Sequence, residues 1–460
     1  MFRVFGRYVS TATLILGIAE AATVCALIYA GAAIFSGGVV YPTADLDLRV
    51  ALIAIAVVLV MHSMGLYDED ALTNLRQSLL KLAFIIGPIF LLAVVTTGIL
   101  AKNKVVPIYP YRWQWTIGLT TLWFASVLGG RLFFTHLHEN GKFARRIALL
   151  GGVQLLAQLR ELVDSHRGSI RIVAQFDTPD LVETNDQPLQ NLALLRRAQI
   201  ANAHEILVDQ TTLSQLPVAA LIRCRTAGFP IIEFPHLFER ETGRVDLGSI
   251  EPQALLLCQG LTKGLVFESL KRCMDVAMAL LGLVLFAPVM IAAALALRLE
   301  GSGPIFYRQE RIGRDGKAFM ILKFRSMRTD AEQSGVPRWA SESDPRITPV
   351  GRIIRKVRID ELPQFLNVLR GDMSVVGPRP ERPYFVSELA ERLPYYQERH
   401  LVRPGITGWA QVNFRYGASL EDAARKHSYD LYYLKHRSLL LDLMILLKTV
   451  RIVLFAEGAW

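Results

Sequence analysis

Four apolar stretches crowd the start of this 460-residue chain: Thr11 to Phe35, Leu48 to Leu66, Leu79 to Leu100 and Trp113 to Gly130. Each is close to the roughly 20 residues that a helix needs to cross the hydrocarbon core of a bilayer. A water-soluble fold has no place for four such runs in succession, so the chain is expected to begin in a membrane. A cleaved signal peptide is the rival reading of the first run, given Arg3 and Arg7 ahead of it. The run is too long for that, Glu20 interrupts it, and three similar runs follow. A hydrophobic content of 52% agrees with membrane segments.

Four crossings return the chain to its starting side. Arg3, Arg7, Arg76, Lys81, Lys142, Arg145 and Arg146 then face the cytoplasm, while Arg49, Lys102, Lys104 and Arg112 face the periplasm, a modest positive-inside bias. Glu20 has no basic partner visible in the other runs, so a helix–helix hydrogen bond or a water-facing position is expected for it. The net charge of +10 sits beside apolar runs, which suits anionic lipid and phosphate-rich substrates rather than nucleic acid. The four cysteines are widely spaced and the nine histidines form no ligand set, so neither disulfides nor zinc are expected.

From about Arg145 to Ile250 the pattern changes to short strands alternating with helices, the mark of a small parallel α/β domain. Its first turn, Gly151-Gly152-Val153-Gln154, lacks the spaced glycines of a dinucleotide site. A structural or assembly role is the expectation. A fifth apolar run, Val276 to Leu297, is again long enough to span. Basic residues flank both ends (Lys271 and Arg272, then Arg298, Arg308, Arg311 and Arg314), and Pro288 sits in the middle. A helix that dips into the membrane and returns satisfies both features slightly better than a full crossing.

The chemistry concentrates between Val350 and Pro380. Asp360-Glu361-Leu362-Pro363 reads as a helix start, with Asp360 at the cap and the proline in the first turn. Leu362, Phe365, Leu366 and Leu369 form the expected buried stripe. Acidic residues at a helix start commonly do no more than cap it. Here Arg352, Arg355, Lys356 and Arg358 lie just upstream, and Asp372 and the turn Gly377-Pro378-Arg379-Pro380 lie just downstream. Carboxylates beside an arginine cluster suit diphosphate chemistry. The acids can hold a divalent ion, guanidinium forks can neutralise phosphate oxygens, and a carboxylate can attack phosphorus. Phe306 to Gly313 and Leu322 to Met327, including Lys323 and Arg325, alternate aromatic and basic residues as a strand pair at a phosphate-bearing interface would. A solvated basic face is an equally good reading of those two segments alone.

At these blocks the half from about Phe267 to Phe455 resembles the bacterial polyprenyl-phosphate sugar-phosphate transferases. The resemblance is carried by Lys271-Arg272-Cys273-Met274-Asp275, the proline-broken apolar run, Lys323 to Met327, Arg355 to Gln364, Gly371 to Pro380 and Arg403 to Trp409. It implies a membrane α plus α/β fold of the family's large form. A four-helix transmembrane region would cover 1–140, a Rossmann-like cytosolic domain 141–260, and an α+β catalytic domain 261–460. The last would carry a re-entrant helix at about 270–299, with Lys271, Arg272, Asp275 and Pro288. It further implies a multi-pass protein of the bacterial inner membrane, with its catalytic domain facing the cytoplasm; the amino-terminal half without catalytic motifs points to a homodimer. The implied reaction is magnesium-dependent and takes two steps. Asp360 attacks the β-phosphate of a UDP-sugar and releases UMP, and polyprenyl phosphate then accepts the phosphosugar. This would open exopolysaccharide or O-antigen-type glycan assembly. Asp360 and Glu361 would hold the metal; Arg355, Lys323, Arg325, Arg379 and Asp372 are the implied substrate contacts. Val357 stands where relatives often carry a threonine. Direct transfer without a covalent intermediate is the mechanistic rival, and a transporter or non-catalytic scaffold the functional one. The last apolar stretch, Leu439 to Phe455, carries Asp442, Lys448 and Arg451 and suits the membrane interface, with a sixth crossing the other reading.

Overall fold

The computed structural model describes residues 2–4, 7–9, 11–35, 44–67, 71–72, 76, 78–79, 81–82, 87, 112–139, 144–165, 170–176, 196, 198–215, 218–250, 252–258, 260–328, 344–414, 417 and 419–455. The chain divides into two compact units, Tyr8–Leu237 and Phe238–Trp460, with Met1–Phe2 grouped with the first and Arg3–Arg7 with the second.

The first unit opens with helices α1 (Thr11–Phe35), α2 (Ala44–Ser63) and α3 (Arg112–Glu139). α1 packs against both others. Thr13–Ala30 and Ile117–Leu137 are long and apolar enough to cross a membrane, whereas the apolar part of α2, Val50–His62, is shorter. The run expected over Leu79 to Leu100 lies mostly outside the described residues. Glu20 corrects the sequence reading, because it does have a basic partner. α3 continues past Gly130, and Arg131 forms an ion pair with Glu20 at 3.2 Å between fully buried side chains. The Tyr67 hydroxyl donates to the same carboxylate, and Arg131 Nη1 donates to the Leu66 carbonyl at 2.7 Å. A charge in an apolar setting is tolerated only when paired in this way.

Strands β1 (Arg145–Leu150), β2 (Ile170–Phe176), β3 (Glu205–Val208) and β4 (Ile231–Glu233) form one all-parallel sheet in the order β2-β1-β3-β4. Ile147 to Leu150 are all buried, the continuous apolar run expected of a central parallel strand. Helix α4 (Val153–Ser165) follows β1 and helix α5 (Val218–Thr226) precedes β4. A Cβ added at Gly151 would stand 3.2 Å from the Asp209 carboxylate, which also caps the helix after β3 by accepting from the Thr212 amide. A negative charge at the mouth of that turn repels a pyrophosphate.

The second unit is organised by helix α6 (Leu265–Glu300), 36 residues that run unbroken through Pro288. The hairpin β5 (Phe306–Ile312) and β6 (Ala318–Phe324) is antiparallel. It is followed by α7 (Pro349–Lys356), α8 (Gln364–Arg370), β7 (Ser374–Val376), α9 (Pro383–Arg392), β8 (Gly405–Thr407), α10 (Trp409–Asn413), α11 (Leu420–His436) and α12 (Leu439–Phe455). β7 and β8 pair in parallel, with Gly405 opposite Ser374. Val245, Leu255, Ala279, Val375, Trp409, Tyr432 and Ile445 share one core. The stretch 238–258, read from sequence as the end of the α/β domain, therefore belongs with the second unit; Trp409 Nε1 donates to the Gly243 carbonyl at 2.7 Å.

Both ends of α6 are pinned to this unit. Near its start, Lys271 Nζ binds Asp442 at 2.7 Å, Arg272 donates to the carbonyls of Val368 and Leu369, and Asp275 accepts from the Ser374 hydroxyl and the Val375 amide. Near its end, Ala293 and Leu297 pack on Phe324 and Ile354, and Glu300 accepts from the Val350 amide at 2.8 Å. Between the two, Leu281, Val284, Leu285, Ile291 and Leu295 are exposed. That belt has the composition of a lipid-facing surface.

Replacing Arg131 by leucine strands a buried carboxylate and should cost about 3–5 kcal/mol. Replacing Arg131 and Glu20 together by leucine should cost less. Thermal unfolding midpoints in detergent check the order, and a double variant less stable than the single one would overturn it.

Candidate active site

Asp360 and Glu361 lie not at a helix cap, as the sequence suggested, but on a 3-10 turn, Ile359–Glu361. Helix α7 begins at Thr348, whose hydroxyl accepts from the Gly351 amide, and ends at Val357. Arg358 then adopts a left-handed conformation at φ 56° and reverses the chain into the turn. α8 starts beyond Pro363 with no side-chain cap, so neither acid is spent on capping it. Its fully buried residues are Gln364, Asn367 and Val368, while Phe365 and Leu369 of the expected stripe are half-buried and pack against the core. Asn367 accepts from the Leu322 amide at 3.0 Å and donates to the Met320 carbonyl at 2.8 Å, which stitches the helix to β6. Gly282 faces Phe365 so closely that an added Cβ would stand 2.7 Å from the ring, so any larger residue there would force the ring to shift between α6 and α8.

The two carboxylates share burial and differ in company. Glu361 Oε1 lies 3.0 Å from Lys323 Nζ and 2.6 Å from Arg379 Nη2, and Oε2 lies 3.6 Å from Arg358 Nη1. Burial works against its charge, but the surrounding cations hold Glu361 well below the usual carboxylate range. No hydrogen bond reaches the Asp360 carboxylate among the described residues. Burial, reinforced by the neighbouring Glu361 charge, pushes Asp360 up to about 6 against the opposing pull of Lys323, Arg355 and Arg379. The structure thus gathers Asp360, Glu361, Lys323, Arg355 and Arg379, and adds Arg358. Arg325 and Asp372 bond elsewhere. Arg325 is buried and donates to the Leu297 carbonyl at 3.1 Å, near the end of α6, and Asp372 accepts from Asn367 at 3.3 Å.

A further layer, with no motif of its own in the sequence, stands behind Arg379. Arg399 Nη2 donates to the Arg379 carbonyl at 2.9 Å and to Asp430 Oδ2 at 2.7 Å, while Nη1 donates to the Tyr396 hydroxyl at 2.7 Å. Arg311 Nη1 holds the next carbonyl, Pro380, at 3.0 Å. The Gly377–Pro380 turn is also fixed by close backbone packing: a Cβ on Gly377 would lie 2.4 Å from the Arg403 carbonyl. The arrangement is a rigid cationic frame around one unbonded carboxylate, which fits nucleophilic or metal-assisted chemistry on a phosphate ester.

Residues 266–456 match the model of the family described as bacterial sugar transferase. The chain is 44% identical over 239 residues to the UDP-N-acetylgalactosamine-undecaprenyl-phosphate N-acetylgalactosaminephosphotransferase of Aeromonas hydrophila, covering 52% of this chain and 56% of that one. It is 33% identical over 327 residues to the undecaprenyl-phosphate glucose phosphotransferase of Komagataeibacter xylinus, covering 69% of this chain and 61% of that one. It is 42% identical over 218 residues to the UDP-glucose:undecaprenyl-phosphate glucose-1-phosphate transferase of Caulobacter vibrioides, covering 47% of this chain and 81% of that one. The chain thus spans between half and two thirds of the length of the first two relatives.

His427, whose ring packs against that of Tyr396, links the stability of this layer to pH. His427 is buried and its Nε2 donates to the Pro394 carbonyl; burial pulls its pKa down to about 3. The unfolded chain then binds the proton more readily between pH 6.5 and 3, so this histidine's contribution to stability falls as pH falls through that window. His427→Gln should gain stability relative to the parent protein on acidification. Denaturation midpoints from pH 7 to 4 measure this, and parallel curves would contradict it.

Proposed function

Since the chain belongs to the bacterial sugar transferase family, we propose that it moves a hexose 1-phosphate from a UDP-sugar to undecaprenyl phosphate and releases UMP. The relatives' names pair undecaprenyl phosphate with N-acetylgalactosamine or glucose donors, so the class of substrate is carried over and the sugar is not. The reaction would be the opening membrane step of exopolysaccharide or O-antigen-type glycan assembly.

One observation carries the mechanism: Glu361 is tied to Lys323, Arg358 and Arg379, whereas Asp360 is buried near Lys323, Arg355 and Arg379 with its oxygens unbonded among the described residues. Two neighbouring carboxylates with unequal surroundings take unequal roles. Asp360 attacks the β-phosphorus of the UDP-sugar. The bond to the bridging oxygen breaks, and UMP leaves with the electron pair. The phosphosugar remains on Asp360 as an acyl phosphate. An oxygen of polyprenyl phosphate then attacks that phosphorus, forming the lipid-linked diphosphosugar and restoring the carboxylate. Glu361, a fixed anion, keeps Lys323, Arg358 and Arg379 gathered; those cations and Arg355 neutralise phosphate oxygens.

Asp360, with Glu361 beside it, would hold magnesium. No cluster of three His, Cys, Asp or Glu occurs among the described residues. This fits an ion that takes one or two carboxylates and completes its shell with water and substrate phosphates. When bound it would offset charge on the diphosphate. The long helix α6 is re-entrant in this reading. At 1.5 Å per residue it measures about 54 Å, and a straight crossing would carry its ends to opposite sides of the bilayer. The packing of both ends on one unit, with the exposed apolar belt between them, supports the return to one side. That side is the cytoplasmic face of the inner membrane, where UDP-sugars are available. The amino-terminal half supplies four membrane helices and serves assembly as a homodimer.

Asp360→Asn should lower UMP release by at least about a thousandfold, measured with magnesium, a panel of UDP-sugars and undecaprenyl phosphate. Unchanged turnover would remove the nucleophile assignment. With a radiolabelled donor and no acceptor, label should remain on the parent protein and not on the variant. Label that never attaches would favour direct transfer.

A further inference from the structure

Away from Asp360 and Glu361, the second unit carries another concentration of positive charge. A cleft there is lined by Glu268, Lys271, Arg314, Arg403, Tyr433 and Arg437, among others. It shares no residue with the carboxylate clamp. Two of its cations are neutralised: Lys271 by Asp442 at 2.7 Å, and Arg437 by Glu268. The other two are not. Arg403 donates its Nε to the Gly371 carbonyl at 3.2 Å, a neutral acceptor. Arg314 is exposed and, among the described residues, pairs with Asp315 at 3.6 Å, itself in water, a pairing of little energetic weight.

Arg272 adds to the imbalance, because its guanidinium is also spent on neutral acceptors, the Val368 and Leu369 carbonyls. Burial and repulsion from Arg314 and Arg272 pull Arg403 below the usual guanidinium range, against the attraction of Glu268 and Asp275, whose carboxylates are bonded to Arg437 and to Ser374 and Val375. Like charges held this close are relieved by an anion, and two guanidinium groups with free donors match phosphate oxygens best.

The position of the cleft says which phosphate. Glu268 and Lys271 stand in the first two turns of α6, and Arg437 lies just before α12. Both helices present exposed apolar residues at that level: Leu265 and Val266 on the first, Leu440 and Leu443 on the second. Uncompensated arginines at the edge of an apolar surface lie at headgroup depth. We propose that the Arg314–Arg403 cleft binds the phosphate of an anionic membrane phospholipid, at a site separate from the reacting carboxylates. The inference rests on the membrane placement of α6 and is independent of sugar transfer.

The test uses the full-length protein in mixed micelles and titrates phosphatidylglycerol against phosphatidylcholine, with bound lipid read by native mass spectrometry. The parent protein should prefer phosphatidylglycerol by about tenfold. Arg314→Glu, a reversal at an exposed position, and Arg403→Gln should each abolish the preference, with circular dichroism reporting the fold. A preference kept by both variants overturns the proposal. So does displacement of the lipid by millimolar inorganic phosphate, which would make this a site for a soluble anion, or by stoichiometric undecaprenyl phosphate, which would make it the acceptor's own site. UMP release is measured in parallel. Loss of release in the parent protein with lipid preference intact would count against the proposed function and not against this site.

Discussion

Asp275 and Asp442 are buried near the start of α6, and each fixes a different element to it. Asp442 takes Lys271 Nζ and the Tyr433 hydroxyl, while Asp275 takes the Ser374 hydroxyl and the Val375 amide. Buried carboxylates are tolerated only with such partners, so the pairs act as a register for three segments far apart in sequence. The consequence reaches the active site. β7 runs directly into the Gly377–Pro380 turn that carries Arg379, and Arg379 grips Glu361. The other end of the same helix sets the opposite side of the site, because Glu300 caps the start of α7 and α7 leads into Arg358 and Asp360. One helix thereby positions both strands of the chain that meet at the carboxylates.

Within that frame the chemistry follows from an inequality rather than from a motif. Side by side in sequence, Asp360 and Glu361 are equally buried, and burial alone raises both. The cations decide between them. Lys323 comes from the hairpin, Arg358 from the left-handed turn and Arg379 from the loop after β7, and all three reach Glu361. The Glu361 charge in turn disfavours ionisation of Asp360. A carboxylate whose lone pairs are not spent on hydrogen bonds is the better nucleophile, and a neighbour whose charge never varies is the better anchor.

The apolar runs, the parallel α/β pattern and the acid–arginine cluster were legible in the sequence because each expresses itself locally, as run length, periodicity or proximity along the chain. The features that stayed hidden are all non-local. Arg131 lies one residue beyond the run ending at Gly130, and only the length of α3 brings it to Glu20. Asn367, which no sequence pattern singled out, satisfies the backbone of β6 and is buried. Asp360 read as a cap because its neighbours have helix-start chemistry. What displaced it is the left-handed Arg358, a conformation that arginine does not favour and that tertiary packing imposes. Arg399 and Asp430 are 31 residues apart and carry no signature that would join them.

Helix α12 shows how misleading composition becomes once one face is shared. Asp442, Lys448 and Arg451 interrupt an apolar stretch, and pointed to the membrane interface, with a sixth crossing the other reading. Instead Asp442 is bound to Lys271 inside the unit and Lys448 donates to Asn413 at 3.2 Å, whereas Leu440, Leu443, Val450 and Val453 lie exposed. Polar groups inward and apolar groups outward is the reverse of a water-facing helix, and it is stable where the outer medium is hydrocarbon. The exposed belt of α6 obeys the same rule. Two apolar surfaces on one unit, joined by the buried Lys271–Asp442 pair, leave that unit a surface suited to lie against lipid. Asp360 is tied to the same helix, because Glu300 at the end of α6 holds the start of α7 and α7 leads through Arg358 into the turn that carries Asp360.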